Sequence, residues 1–403
     1  MITENPMTAL ERRTVSSLAM LYSFRMLGLF MVLPLLALYA GDFPDASPTM
    51  IGLALGIYGL SQALLQIPLG WLSDRVGRKP VILGGLLMFA VGSLVAAMSE
   101  SLWGIVLGRA LQGAGAIAGT IMALLADLTS EEQRTKAMAV VGMSIGLSFA
   151  VALVLGPLVA GAGGLAAVFY LTVGLAGAGM VLVYFAVPTP SIRPAPHNSV
   201  GARPSLLGRS FFDARLARLN FGVFTLHFIL MACFLVIPAL LESNAGVFRE
   251  QHWKIYLMAL TLSVLSMLPM MRVAERGAKP RQMFRLGIAL VLIAVMFMGL
   301  IQMEAALYLG LWLFFTGFNY LEATLPSLVS KMVHADGRGA AMGAYSTCQF
   351  LGAFAGGAVG GLILQIGSAQ MLFWVCALLA IIWLLITGPA SGFSNTAVDS
   401  SSD

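Results

Sequence analysis

Three charged residues stand deep inside long apolar stretches of this 403-residue chain: Arg25, Arg109 and Glu322. An ionisable side chain is costly in hydrocarbon, so each is a candidate for function. Glu322 is the first candidate to carry a proton, because taking a carboxyl out of water favours its neutral form. His227 and Asp127 come next, although a lone His in a helix is more often only hydrogen-bonded. Asn319 lies three residues before Glu322 and is expected on the same helical face. Arg25 comes nine residues into its stretch, roughly 14 Å along a helix, near the middle of a membrane. Gln62 and Gln66, four apart, join Tyr58, Gln112 and Gln349 as side chains that either contact a substrate or cross-link helices. The residues alone leave that choice open.

A second concentration of charge is "GWLSDRVGRKP", Gly70 to Pro80, set between two apolar runs. Gly70 permits close packing, Gly77 permits a bend, and Pro80 suits the first turn of a following helix. Arg75, Arg78 and Lys79 would by themselves be an ordinary basic loop. Asp74 asks for more, because a carboxylate in a tight turn can satisfy the free N–H groups at the start of a neighbouring helix.

The elements that carry these residues follow from composition. Hydrophobic residues make up 59% of the chain and charged residues 10%, with mean hydropathy +0.90. A soluble fold would lack the polar surface to cover such a core, so an integral membrane protein is expected. Apolar runs near 16–40, 50–71, 80–98, 102–126, 138–160, 166–187, 218–241, 253–271, 284–301, 306–330, 340–364 and 371–388 predict twelve helical spans. They are too long and too little alternating for barrel strands. The first run contains Arg25 and lacks a small-residue cleavage site, so it reads as a span and not a secretory signal.

Of the 23 Lys and Arg, 19 fall on one side if the amino terminus is cytoplasmic, and only Arg249 and Lys254 on the other. The positive-inside rule therefore places both termini in the cytoplasm. The net charge of +5 is an orientation signal and calls for no nucleic acid. Cys233, Cys348 and Cys376 suit neither a disulfide framework nor a metal.

The two halves repeat weakly. "FMVLPLL" with Pro34 matches "FLVIPAL" with Pro238 at a shift of 204, and Asp74, Arg75 and Arg78 fall on Glu275, Arg276 and Lys279 at a shift of 201. Six spans per half make the repeat parallel, about an axis normal to the membrane. The predicted organisation is a six-helix bundle over 1–187, a cytoplasmic Pro- and Arg-bearing linker over 188–217, a second bundle over 218–390 and a disordered tail over 391–403. Glycines four apart on the second, fifth and eleventh spans (Gly52 and Gly56, Gly142 and Gly146, Gly352 and Gly356) are expected to permit close helix approach.

The loop from Gly70 to Lys79 resembles the signature G-x-L-(S/A)-D-R-x-G-R-(R/K) of the major facilitator superfamily at every specified position. "LGRALQGAGA" is similar to its fourth-span motif, with Arg109, Gln112, Gly113 and Gly115 in place. "GPLVAG", Gly156 to Gly161, resembles the antiporter signature G-P-x-x-G-G, with Ala160 at the first terminal Gly. From about residue 10 to 390 the chain looks like the drug/proton antiporter branch, without the carboxy-terminal soluble domain of one such relative.

The resemblance implies an all-α membrane fold of two pseudo-symmetric six-helix bundles in a bacterial inner membrane. Its first, fourth, seventh and tenth spans would line a central cavity. It implies a proton-coupling role for Arg109, an Arg78–Asp127 pair, and a latch in which Asp74 meets the start of the eleventh span near Gly339 and Ala340. Arg25, Tyr58, Gln62, Gln66, Gln112, Asn319 and Gln349 would face the cavity.

No nucleophile elbow, phosphate loop or metal-ligand cluster is present in the sequence, and "GAGAIAG" has the wrong spacing for a dinucleotide loop. The expectation is a non-enzymatic, cofactor-free, monomeric transporter whose partners are lipid, protons and a small molecule. Export of amphiphilic or lipophilic compounds against protons is the first reading; proton-coupled metabolite uptake and a transport-inactive receptor are the alternatives.

Overall fold

The computed structural model describes residues 7–188, 208, 210–211, 213–277, 279–300, 303–333 and 337–387. Most of the predicted linker and all of the predicted tail lie outside them. The described residues form helices with no strand. In chain order these are α1 (Ala9–Tyr39), α2 (Pro48–Val76), α3 (Arg78–Ala97), α4 (Leu102–Ala114), α5 (Ala118–Asp127), α6 (Glu131–Phe185), α7 (Ala214–Ser243), α8 (His252–Arg276), α9 (Pro280–Leu300), α10 (Glu304–Met332), α11 (Arg338–Ile366) and α12 (Ala369–Ile386).

Among the described residues, ten stretches are long and apolar enough to cross a membrane, with α4 and α5 taken as one and α6 counted once. At 55 residues α6 is ~80 Å long by its rise, more than twice the ~30 Å hydrocarbon core. It bends at Gly163 and Gly164, the latter at φ 67°, and so forms the fifth and sixth crossings. α10, with Asn319 and Glu322 in its 29 residues, is the remaining span. The total is the twelve expected.

Local sequence sets the helix ends. Thr8 and Glu11 form a capping box on α1, Ser47 caps α2 ahead of Pro48, and Ser101, Asp213 and Ser368 cap α4, α7 and α12. Asp45 accepts from the N–H of Leu102 (2.8 Å) and of Trp103 (3.3 Å), putting a carboxylate on the start of α4. Between α2 and α3 the chain turns on Gly77 alone, at φ 102°. Gly77→Ala is expected to destabilise the protein by ~1–3 kcal/mol, since a side chain is strained at that φ. A thermal melt in detergent checks it; an unchanged melting temperature would contradict this reading of the turn.

The fourth crossing is broken at 115–117, where the backbone leaves helical geometry between α4 and α5. Such a break is tolerated at membrane depth only where it is buried in protein or lines a water-filled cavity. Gly85 of α3 packs directly against this segment, with Ile117 over it and Gly115 backbone beside it.

The halves α1–α6 and α7–α12 meet chiefly through α2 against α11, with α1 against α7 and α6 against α8. A Cβ on Gly52 would strike the Gly357 carbonyl, and one on Gly361 the Pro48 carbonyl, so these backbones touch. Gly56 meets Phe354 and Gly59 meets Phe350 in the same way. Gly352 and Gly356 instead receive the Phe224 and Phe228 carbonyls of α7. Gly142 and Gly146 have nothing within 4 Å, so the fifth-span pair does not serve helix approach here.

All the tight α2–α11 contacts lie away from the Gly70–Pro80 clip. There one hydrophobic core runs through both halves, joining Met31, Leu35 and Phe149 to Phe234, Phe315 and Phe318. Toward the clip the first half has a separate core of its own, including Leu18, Leu21, Ile82, Phe89 and Val183. The closest contacts between the halves thus lie at the end opposite the clip.

Candidate functional site

In the second half, α7, α10 and α11 bring His227, Glu322 and Gln349 together. The Gln349 amide nitrogen is 3.1 Å from Glu322 Oε1 and 2.9 Å from His227 Nε2. His227 Nδ1 is 3.1 Å from the Val223 carbonyl one turn back. A carbonyl only accepts, so Nδ1 carries the hydrogen, and in neutral His227 Nε2 accepts from Gln349. Glu322 Oε2 lies 3.7 Å from Nε2 and has no hydrogen-bond partner among the described residues. The imidazole rests edge-on against Phe318, at 5.8 Å between ring centres.

This arrangement can hold a proton in more than one place. With Glu322 ionised and His227 neutral, both amide hydrogens of Gln349 are used. A proton on Nε2 would point at Oε2, and Gln349 would have to turn its oxygen inward. The Glu322 side chain is 36% exposed against 11% for His227, so Glu322 is the more accessible member of the pair. Tyr345, on α11 with Gln349, has a buried hydroxyl without a hydrogen-bond partner among the described residues.

Asn319 is not part of this group. It donates to Ser263 of α8 at 2.9 Å. Two residues three apart on a helix point about 60° away from each other, enough here to turn them toward different neighbours.

The first half holds a different network. Arg25 Nη2 donates to Tyr58 (2.8 Å), Gln62 (2.6 Å) and the Gly115 carbonyl at the break in the fourth crossing (3.3 Å). Arg109 donates to the Ala54 carbonyl (3.3 Å) and to Gln112 (3.0 Å), and Gln112 to Ser93 (2.7 Å). Both guanidinium groups lie near the Tyr58 ring, at 6.0 and 5.1 Å. No carboxylate pairs with either arginine among the described residues.

Arg25, Tyr58, Gln62, Arg109 and Gln112 are all at most 3% exposed. The expectation that Arg25, Gln62 and Gln112 face a cavity is therefore corrected for this conformation: they tie α1, α2, α3 and α4 together. The physical reason is the broken helix, whose free carbonyl needs a buried donor. Tyr58 does reach the other half, edge-on to Phe350 at 6.5 Å, and Gln66 donates to Thr347 of α11 at 2.8 Å.

At the clip, Arg78 is buried and bonds Asp127 at 3.1 Å, as the resemblance implied, and donates to Ser73 at 2.7 Å. Its other ionic partner is Asp74, one turn back. Asp74 has no hydrogen bond to Gly339 or Ala340 in this conformation; its carboxylate is turned to Arg78 instead. Arg75 stacks on Trp71 at 3.6 Å, while Lys79 and Arg13 donate to the Val187 and Phe185 carbonyls at the end of α6. Gly70 has nothing within 4 Å, so no close packing uses it here.

The Major Facilitator Superfamily profile matches residues 18–357 and, separately, 221–393. The inner membrane transport protein YajR of Escherichia coli K12 is 46% identical over 381 residues, covering 94% of this chain and 84% of YajR. The chain belongs to the major facilitator superfamily. Multidrug resistance protein MdtH of Aeromonas hydrophila is 26% identical over 87% of both chains. Among solved structures, human organic anion transporter MFSD10 superposes with a TM-score of 0.69 at 20% identity, covering 94% of this chain and all of the other. An auto-inhibited POT family peptide transporter superposes at 0.73 and 14% identity, covering 95% and 98%.

The superfamily membership makes this a membrane transporter and not an enzyme, with twelve helices in two halves. Among the described residues no three His, Cys, Asp or Glu gather as metal ligands. Ser93, Thr347 and Phe350 join the named residues through their contacts. Only Ser93, a lone polar residue in an otherwise apolar run, carried a signal in the sequence.

Proposed function

We propose that this transporter is a proton-coupled antiporter that exports small amphiphilic or lipophilic compounds by alternating access, in a bacterial inner membrane with both termini in the cytoplasm. The clip end is then the cytoplasmic end, and the close glycine contacts between the halves lie at the opposite end. The observation that carries the reading is the convergence of Glu322, His227 and Gln349, a carboxyl and an imidazole bridged by one amide in the second half. Glu322 takes the proton, His227 shares it, and Gln349 follows by turning its amide.

Arg109 and Asp127 contribute indirectly: Arg109 holds α4 against α2 beneath Tyr58, and Asp127 positions Arg78 within the clip. Asp74 engages α11 only when the cytoplasmic end closes. The charge distribution supports the orientation, and the name of MdtH supports the compound class.

The test is transport into and out of vesicles holding purified protein, with an imposed pH gradient and a panel of lipophilic cations, neutral amphiphiles and small polar metabolites. Movement of an amphiphile opposite to protons is the expected result. Co-movement of a polar metabolite with protons would replace export by uptake, and movement of no compound would leave the receptor reading standing.

A further inference from the structure

The positive-inside pattern leaves Arg249 nearly alone at the end opposite the clip, and the structure gives it contacts in both halves. It lies in the turn between α7 and α8. Its Nε bonds Glu242, in its own half, at 3.2 Å. Its Nη1 is 3.9 Å from Asp42, just beyond α1, and its guanidinium lies 5.1 Å from the ring of Tyr39. Next to it Glu250 packs against Gly161 of α6.

We propose that Arg249 is the latch of this seal, the counterpart at this end of the Asp74 clip at the other. Glu242 is the fixed partner, which moves with Arg249 when the halves separate. Asp42 and Tyr39 are the partners that are lost. The guanidinium is therefore paired in the sealed state and still paired after opening, so release strands no buried charge. The Arg249 side chain is 33% exposed and that of Asp42 69%. A pair this wet is weak and salt-sensitive, as a contact broken on every cycle must be. The glycine backbones supply the close fit; Arg249 supplies the bias that can be undone.

The proposal is tested without any transport measurement, so it stands or falls separately from proton coupling. Nitroxide labels at Ala46→Cys and Asn244→Cys, both exposed positions at this end, report the separation by pulsed electron spin resonance. Cys348 is replaced by serine, while Cys233 and Cys376 are buried. Arg249→Ala is expected to raise the ratio of long to short distances roughly two- to fivefold, with Arg249→Lys intermediate. Asp42→Asn should act in the same direction and add nothing in the Arg249→Ala background. Salt at 1 M should raise the long-distance fraction of the unmutated latch alone. Unchanged distances in Arg249→Ala and Asp42→Asn, or additive effects of the two, would overturn the latch. If Arg249→Ala fails to fold, Asp42→Asn at a largely exposed position decides the matter.

Discussion

Glu322→Gln is expected to abolish proton-driven transport while leaving substrate exchange at equal pH intact. The substitution keeps a side chain of the same shape, able to hydrogen-bond Gln349, but removes the group that gains and loses the proton. Loss of a positioned proton-transfer group costs about 100-fold or more in rate. Exchange needs no net proton movement, so it should survive and show that the protein is folded. The pair of measurements, gradient-driven uptake and counterflow in the same vesicles, separates coupling from binding. Gradient-driven transport at the unmutated rate would remove Glu322 from the proposed proton path, and loss of both activities would make its role structural.

The second large effect is expected at Gly357→Leu. A Cβ there would lie 2.5 Å from the Gly52 carbonyl and 2.8 Å from the Gly56 nitrogen. Both are backbone atoms in a helix and cannot rotate away, so α2 and α11 must separate. Overpacking of this kind costs about 1–3 kcal/mol, which corresponds to a shift of roughly 5- to 150-fold between two conformations. The protein should populate the state sealed at the clip end and turn over slowly, read by the same label distances and by transport. Gly142→Ala is the matched comparison: it belongs to the same four-residue glycine pattern, has open space around it, and should behave as the unmutated protein. Normal turnover in Gly357→Leu would mean that the α2–α11 seal is softer than its geometry requires.

These expectations rest on features of unequal legibility. The twelve crossings could be read from hydropathy, including the division of α6, because Gly163 and Gly164 fall in the gap between the fifth and sixth apolar runs. The turn at Gly77 and the Arg78–Asp127 bond were readable from the clip and its family resemblance. Glu322, His227 and Gln349 were each visible as polar residues in apolar runs. Their meeting was not, because sequence does not give the rotation and depth of three helices relative to one another.

The same limit misplaced Arg25, Gln62 and Gln112. A polar residue facing a water-filled cavity and one answering a free carbonyl inside a bundle have the same sequence signature. The break at Gly115 that creates the need shows only as a glycine-rich motif. Asp74 differs again: its expected contact with α11 is not met, and its carboxylate pairs across the turn with Arg78. Asp45, which caps α4 across a loop, resembled any acidic residue between spans.

The central claim is that one carboxyl-centred site in the second half exchanges a proton for substrate. Its most direct test is proton release on binding, followed with a pH indicator in weakly buffered detergent solution while a transported amphiphile is added to purified protein. The account expects about one proton released per substrate bound, and none from Glu322→Gln. Saturable substrate binding to the unmutated protein with no release of protons would contradict it.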